Sequence, residues 1–155
     1  MIAKVTAIFI SPAAAAPMQS LAEACLEAGR GIVGDRYYAG CGTFSEKLGD
    51  SPAREVTLVE TEQIDEFNHT TGMRLKPGDL RRNIVTGGVE LNALVGMQFS
   101  IGEVILEGIR LCEPCEHIAR LVAADILTGM LHKAGLRAGI IRGGFIRPGD
   151  TVRVP

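Results

Sequence analysis

Residues 99–111, with the sequence Phe-Ser-Ile-Gly-Glu-Val-Ile-Leu-Glu-Gly-Ile-Arg-Leu, decide the fold class. Residues 99–101 and 104–111 are rich in the aromatic and β-branched side chains that favour strands. Gly102 and Glu103 lie between these two runs and are suited to a tight turn. The stretch therefore predicts an antiparallel hairpin in a fold built on short strands.

Similar short runs recur along the chain and predict further strands. Single strands are expected at residues 5–10, 54–59, 136–141 and 151–154. A second hairpin is expected to turn at Gly87-Gly88, with residues 83–86 and 89–91 as its strands.

Helices are expected to be few and short. Residues 60–71 predict one, because Ile64 and Phe67 share a face and Gly72 suits the C-terminal cap. Residues 116–126 predict another, and residues 29–49, with six glycines, predict a long irregular loop. We therefore expect a mainly β fold, β-barrel-like or a sandwich with a few short covering helices, forming a single domain over residues 1–155.

Composition excludes several classes of protein. The 155 residues, 46% hydrophobic and 22% charged, are typical of one globular domain. A net charge of −2 gives no general reason to bind nucleic acid. No apolar run approaches the roughly 18 residues that span a membrane. The four cysteines are too sparse for a disulfide scaffold, so we expect a cytoplasmic protein with reduced thiols.

Residues 111–117, Leu-Cys-Glu-Pro-Cys-Glu-His, form the densest group of reactive side chains, where a strand is expected to give way to a helix. A cysteine at a helix start is favoured as the thiolate, which can attack an electrophile, carry a sulfane sulfur or bind a soft metal. The negative charges of the nearby glutamates disfavour ionisation of the thiol to the thiolate. Half of a zinc site, a redox pair and two buried hydrophobic cysteines remain open as alternatives.

Two further segments could bind an anion. The charge distribution favours an anion site in the second half of the chain, because residues 67–155 contain 11 Lys and Arg against 8 Asp and Glu. In the first segment, Arg81, Arg82 and Asn83 suit a phosphate or the edge of a heterocycle. Neighbouring side chains at the start of a strand lie on opposite faces of the sheet. At most one of the two arginines is therefore expected in any pocket. The alternative is that this first segment is a turn whose two arginines are solvated and bind nothing. In the second segment, glycine-rich residues 31–38 contain Asp35 and Arg36.

Taken in order, these segments resemble the MOSC family, the domain at the C-terminus of molybdenum-cofactor sulfurases. The resemblance extends over residues 2–154 and implies a β-rich, partly barrel-like fold of the small stand-alone bacterial type. It rests on four motifs: Gly34-Asp35-Arg36, Arg81-Arg82-Asn83-Ile84-Val85, residues 91–96 and Glu113-Pro114-Cys115.

The resemblance implies that the chain binds the molybdenum cofactor (molybdopterin) or delivers sulfur. It places the family's single cysteine on Cys115, as a molybdenum ligand or a persulfide carrier and hence as the catalytic residue. It places the family's Arg-x-Asn element on Arg81 and Asn83, against the pterin and its phosphate. We expect three further arginines to complete a positive rim: Arg36, Arg54 and Arg142.

Two activities follow from the resemblance. The first is a molybdenum-dependent oxidoreductase that reduces N-hydroxylated compounds with electrons from a partner protein. The second is a sulfurtransferase or non-catalytic module that passes sulfur or cofactor from a donor protein to metal–sulfur cluster or molybdoenzyme assembly. At family level the resemblance also includes binding of pyridoxal phosphate. Tyr37 and Tyr38 stand where many members have histidine, and Cys112 is an extra cysteine that could resolve a persulfide.

Overall fold

A computed structural model describes residues 2–155. Its strands are β1 Lys4–Ile10, β2 Gln19–Ser20, β3 Ala24–Glu27, β4 Gly31–Ile32, β5 Val56–Glu60, β6 Ile84–Gly87, β7 Gln98–Ile101, β8 Val104–Leu111, β9 Leu136–Arg142, β10 Gly144–Ile146 and β11 Val152–Arg153. Its α-helices are α1 Ser45–Leu48, α2 Thr61–Thr71, α3 Glu116–Leu121 and α4 Ile126–Gly129. Short 3-10 helices cover Pro52–Arg54 and Leu91–Leu94.

The strands form one sheet of eight, in the order β11-β7-β8-β9-β5-β6-β1-β2, and one of three, β10-β3-β4. All neighbours are antiparallel except β5 and β6, which run parallel because α2 lies on the connection between them. A bridge between Lys4 and Thr151 brings β1 close to the chain before β11. The strand order nevertheless does not close, so the mainly β fold is confirmed and the barrel is not.

The larger sheet separates two apolar cores, and the alternation of side chains explains how. Leu58 and Ile84 face the core shared with the smaller sheet, whereas their neighbours Val59 and Val85 face the helices. From α2, Ile64 and Phe67 pack into this second core, which also contains buried residues of α3 and α4. The helices therefore form a cover over β5 and β6. No helix within residues 2–155 is long and apolar enough to cross a membrane.

The β7–β8 hairpin and α2 are confirmed, whereas the hairpin at Gly87-Gly88 and the continuous helix over residues 116–126 are wrong. The hairpin of β7 and β8 is confirmed, with Ile101 opposite Val104, and α2 ends at Gly72 in the left-handed region with φ 76°. The hairpin at Gly87-Gly88 is wrong, because β6 already has β5 and β1 as its two neighbours. The helix expected over residues 116–126 is broken into α3 and α4.

Candidate functional site

A narrow cleft with about 30 Å³ of accessible space lies where the ends of several strands meet. Arg36 reaches it from the loop after β4, Arg81 and Arg82 from the segment before β6, and Arg137 from β9. The segment between β8 and α3 supplies the sulfur atoms. We call this the arginine cleft, and its lining residues are Arg36, Tyr37, Thr43, Phe44, Thr57, Arg81, Arg82, Cys112, Glu113, Cys115, His117, Ile118 and Arg137.

Both adjacent arginines, Arg81 and Arg82, line the cleft, so the expectation that at most one would enter it is wrong. Arg81 has φ 62°, in the left-handed region that non-glycine residues rarely adopt, and β6 begins only at Ile84. The alternation of a strand therefore does not apply to this pair. A left-handed backbone at a non-glycine residue costs about 1–3 kcal/mol and is concentrated at functional sites.

Arg82 organises the wall of the cleft. Its Nε donates to the carbonyl oxygen of Ala134 (2.8 Å) and its Nη1 to that of Leu80 (3.1 Å). Its Nη2 donates to the carbonyl oxygens of Cys112 (3.0 Å) and Glu113 (3.4 Å). Most of the guanidinium's five donors are thus committed to backbone, and Arg82 fixes the start of the cysteine segment.

Asp35 is the buried carboxylate behind the cleft. It accepts hydrogen bonds from the backbone nitrogens of Ser11 (3.1 Å) and Tyr37 (3.2 Å) and from Nη1 of Arg36 (2.9 Å). The amide of Asn83 donates a longer bond of 3.4 Å to the same carboxylate. Only 1% of the Asp35 side chain is exposed, so its ion pair with Arg36 lies inside the protein.

Asn83 lies beneath the cleft and is absent from its lining. Its Oδ1 accepts from the backbone nitrogen (3.1 Å) and hydroxyl (3.2 Å) of Thr57. Its Nδ2 donates to the carbonyl oxygen of Phe9 (3.1 Å) and to Asp35. Because its amide is buried and committed on both sides, Asn83 holds the cleft in shape and does not present a free group to it.

The cleft contains more positive charge than the protein neutralises. Among residues 2–155, Asp35 pairs with Arg36, whereas Arg81, Arg82 and Arg137 have no carboxylate partner. Within the part of the chain that the structure describes, the Arg81 guanidinium donates only to the carbonyl oxygen of Ala16 (2.6 Å) and the hydroxyl of Ser11 (3.4 Å). Burial, and then repulsion from Arg36, lower the pKa of Arg81. Buried charges are normally paired, so this excess indicates a site for an anion.

Cys115 lies at the border between the arginine cleft and a second groove of about 380 Å³, which we call the outer groove. It is half-buried at the N-cap of α3, and its side chain makes no capping hydrogen bond. Cys112 also lines the cleft but is only 1% exposed. Both are free thiols. The outer groove is lined by Phe44, Lys47, Leu48, Arg110, Leu111, Glu113, Pro114, Cys115 and Arg137.

The carboxylate of Glu113, expected to disfavour a negative sulfur, is engaged by His132. It accepts from the backbone nitrogen of His132 (2.7 Å) and contacts Nδ1 of the same ring at 2.5 Å. Glu116 is exposed.

The structure brings Cys115, Arg36 and Arg81 together and leaves two predicted arginines elsewhere. Arg54 donates to the carbonyl oxygen of Gly29 (2.8 Å) and does not line the cleft. Arg142 is exposed at the far end of β9 and is not in the cleft either. The expectation that these two arginines form its rim is therefore wrong. Arg137, on the same strand as Arg142, takes that place.

His117 is a cleft residue for which the sequence offered no role. Burial, and then the positive charges of Arg81, Arg120 and Arg36, lower the pKa of His117 below its ordinary value of 6.5. Its Nε2 lies 3.4 Å from the hydroxyl of Thr43. The lowered pKa favours the neutral form of the ring near pH 7.

We expect an anion in the cleft to raise the pKa of His117, because it offsets the repulsion from Arg81 and Arg36. By linkage, the affinity for sulfate, which does not itself titrate near pH 7, must increase as the pH falls through that pKa. NMR titration of the imidazole signals with and without sulfate measures both effects. The ring of His69, exposed on α2, serves as the control. An unchanged His117 titration in saturating sulfate would place the anion elsewhere.

Within residues 2–155, no group of three His, Cys, Asp or Glu side chains comes close enough to hold a metal ion. A metal at Cys115 would therefore have fewer than three ligands of these types among the described residues and would take the rest from a bound group or solvent. This donor set disagrees with a zinc site built from the Cys-x-x-Cys pair, which needs four protein ligands.

Comparison with known proteins identifies the family. The MOSC domain model matches residues 45–153. The chain belongs to the MOSC domain family. This family is associated in general with binding of the molybdenum cofactor. No curated protein matches the chain in sequence.

Solved structures share the MOSC chain's fold at low sequence identity. The YuaD protein from Bacillus subtilis is 18% identical, with a TM-score of 0.82 over 99% of this chain and 96% of that one. YiiM from Geobacillus stearothermophilus is 11% identical, with a TM-score of 0.74 over 99% and 75% of the two chains. YiiM from Escherichia coli is 16% identical, with a TM-score of 0.68 over 98% and 69%.

The residues of this MOSC domain fit the cofactor associated with the family. A molybdenum cofactor brings its own sulfur ligands and a phosphate, so it needs one soft protein ligand and a set of cations. Cys115 offers the first, and Arg36, Arg81 and Arg137 offer the second. Further room adjoins the cleft, because Arg81 also lines a largely apolar groove of about 590 Å³.

Proposed function

We propose that this MOSC protein binds the molybdenum cofactor in the arginine cleft. The observation that carries the proposal is a cluster of arginines beside a half-buried thiol, in which Arg36 pairs with Asp35 and Arg81 and Arg137 have no carboxylate partner among residues 2–155. Arginine presents a planar fork of donors that matches phosphate oxygens. A cysteine sulfur is a soft ligand and suits a metal already bound by sulfur.

Each residue has a distinct part in the proposal. Arg36 and Arg81 hold the phosphate, and Arg137 adds charge at the side of the cleft nearer the outer groove. Cys115 is the metal ligand. Asn83 is a positioning residue, because it acts through Asp35 and the backbone.

When bound, a molybdenum centre supplies two-electron reduction of an N–OH group to N–H, with release of water and with electrons and protons from a partner protein and solvent. The chain's own contribution is to exclude bulk water from a narrow cleft and to offer a neutral His117 at its wall. A neutral imidazole can accept a proton on one ring nitrogen and donate from the other. His117 can therefore pass protons between solvent and the cleft.

The test is the pterin retained by protein purified from a host that makes the cofactor. Arg81→Gln removes charge-assisted hydrogen bonds of about 1.5–3 kcal/mol each, so we expect affinity to fall about 10- to 100-fold. The oxidised pterin fluorescence per chain should then drop to about a tenth of the wild-type value.

Arg142→Gln is the matched control, because it removes the same charge from an exposed residue outside the cleft. It should retain wild-type pterin. Equal pterin in Arg81→Gln and wild type would contradict the proposal, provided that both melt at similar temperatures.

A second candidate function is sulfur delivery, and the presence of Cys112 in the same lining favours it. The Cys115 thiolate would attack the terminal sulfur of a donor persulfide, forming a Cys115 persulfide and releasing the donor thiolate. Attack by Cys112 on the inner sulfur would then form a Cys112–Cys115 disulfide and release hydrosulfide. Cyanide-labile sulfur that disappears in Cys115→Ser, in protein without pterin, would favour this function over cofactor binding.

A further inference from the structure

The outer groove contains a pair of like charges that the fold does not require. Arg110 on β8 lies directly opposite Arg137 on β9 in the antiparallel register. Like charges in this arrangement are destabilising. Lys47 of α1 lines the same groove, and none of the three has a carboxylate partner among residues 2–155. The groove is therefore a second concentration of unneutralised positive charge.

Among residues 2–155, Glu113 is the one carboxylate in the groove lining, against the three cations Arg110, Arg137 and Lys47. Both of its oxygens are engaged by His132, through the backbone nitrogen at 2.7 Å and Nδ1 at 2.5 Å. The cations in the lining therefore outnumber its carboxylate three to one, which favours an incoming anion.

The rest of the groove is apolar. Phe44, Leu48, Leu111 and Pro114 line it, and the guanidinium carbon of Arg137 lies 6.0 Å from the centre of the Phe44 ring. An inorganic anion would gain nothing from these side chains. A molecule with an acidic end and an apolar body would use both halves of the groove.

We infer that the outer groove binds small organic acids, with the carboxylate on Arg110 and Lys47 and the apolar body against Phe44 and Leu48. This inference deepens the proposed function and rests on it, because Cys115 lies at the inner border of the same groove. A carboxylate-bearing substrate held in this way has its body beside the metal ligand. The substrate class is therefore an acid with an apolar, for example aromatic, body.

The test is binding of 4-fluorobenzoate, followed by its ¹⁹F NMR signal. Arg110→Gln is expected to weaken binding about tenfold, because a charge-assisted hydrogen bond is lost. Arg142→Gln removes an exposed arginine at the end of β9 away from Arg137, and it should bind 4-fluorobenzoate as the wild type does. 4-Fluorobenzyl alcohol and inorganic phosphate should each bind at least about tenfold more weakly than 4-fluorobenzoate.

Arg110→Gln should not lower the melting temperature, because it relieves the repulsion with Arg137. Wild-type affinity in Arg110→Gln, or equal affinity for the alcohol or for phosphate, would overturn the inference. Arg81→Gln separates the two proposals, since it should lose pterin and keep 4-fluorobenzoate. Loss of 4-fluorobenzoate binding in Arg81→Gln would place the probe in the arginine cleft and overturn the inference. Binding of 4-fluorobenzoate by a protein that never holds pterin would overturn only the proposed function.

Discussion

Cys115→Ser is expected to remain folded and to lose most of the molybdenum that the wild-type protein carries. A hydroxyl is a hard ligand and replaces sulfur poorly at a molybdenum centre already bound by sulfur. Even residues that only support a ligand cost 10- to 100-fold in metal affinity when mutated, so loss of the ligand itself should leave about a tenth of the metal or less. The measurement is elemental analysis of protein from a host that makes the cofactor.

The fold should tolerate this change. Cys115 is half-buried, and its side chain makes no capping hydrogen bond, so serine leaves no partner unsatisfied. The melting temperature should stay close to that of the wild type. Metal loss is then a property of the site and not of unfolding.

Cys112→Ser provides the matched control, because it makes the same change three residues earlier in the same cleft. Cys112 is 1% exposed, so a serine hydroxyl there lowers the free energy of unfolding by about 1–3 kcal/mol. Molybdenum per folded chain should remain within about twofold of wild type. Equal metal loss in the two variants would instead indicate a site that uses both cysteines.

Asp35→Ala is expected to lower the free energy of unfolding by about 3–5 kcal/mol, because it leaves the Arg36 charge buried without a partner. The backbone nitrogens of Ser11 and Tyr37 also lose their acceptor. Urea denaturation at pH 7 measures the change. Since Asp35 orients Arg36 and contacts Asn83, the anion affinity of the remaining folded protein should fall as well.

Asp50→Ala removes an equal charge from an exposed position and should change the stability by less than about 0.5 kcal/mol. Asp35→Asn keeps the shape of the side chain and removes its charge, so its effect should lie between the two. A loss below about 1 kcal/mol in Asp35→Ala would mean that Arg36 finds another partner or reaches solvent.

The sequence predicts those parts of the fold that depend on neighbours in the chain. The β7–β8 hairpin follows from two strand-forming runs around Gly102, and α2 follows from Ile64, Phe67 and Gly72. The hairpin at Gly87-Gly88 fails because the neighbours of β6 are β5 and β1, which lie far away in the chain. A turn signal does not show that a strand already has a partner on each side.

The site is predicted in part for the same reason. Cys115, Arg36 and Arg81 were expected together from a family resemblance, and the cleft contains all three. Nothing local distinguishes Arg137, which enters the cleft, from Arg142, which does not. His117 shows no signal in the sequence, because the arginines that lower its pKa come mainly from distant segments.

The left-handed backbone of Arg81 shows a further limit of sequence reasoning. Alternation predicts opposite directions for Arg81 and Arg82, and it fails because the strand begins only after them. Tertiary hydrogen bonds from Arg81 to Ala16 and from Arg82 to Ala134 accompany this conformation. Such contacts cannot be read from the dipeptide alone.

Joint determination of metal and pterin in wild-type protein from a host that makes the cofactor tests the central claim most directly. We predict molybdenum and pterin in equal amounts, close to one of each per chain, with both displaced together at high salt as guanidinium–phosphate contacts are screened. Wild-type protein from the same host that holds neither, or that holds molybdenum without pterin, would contradict it.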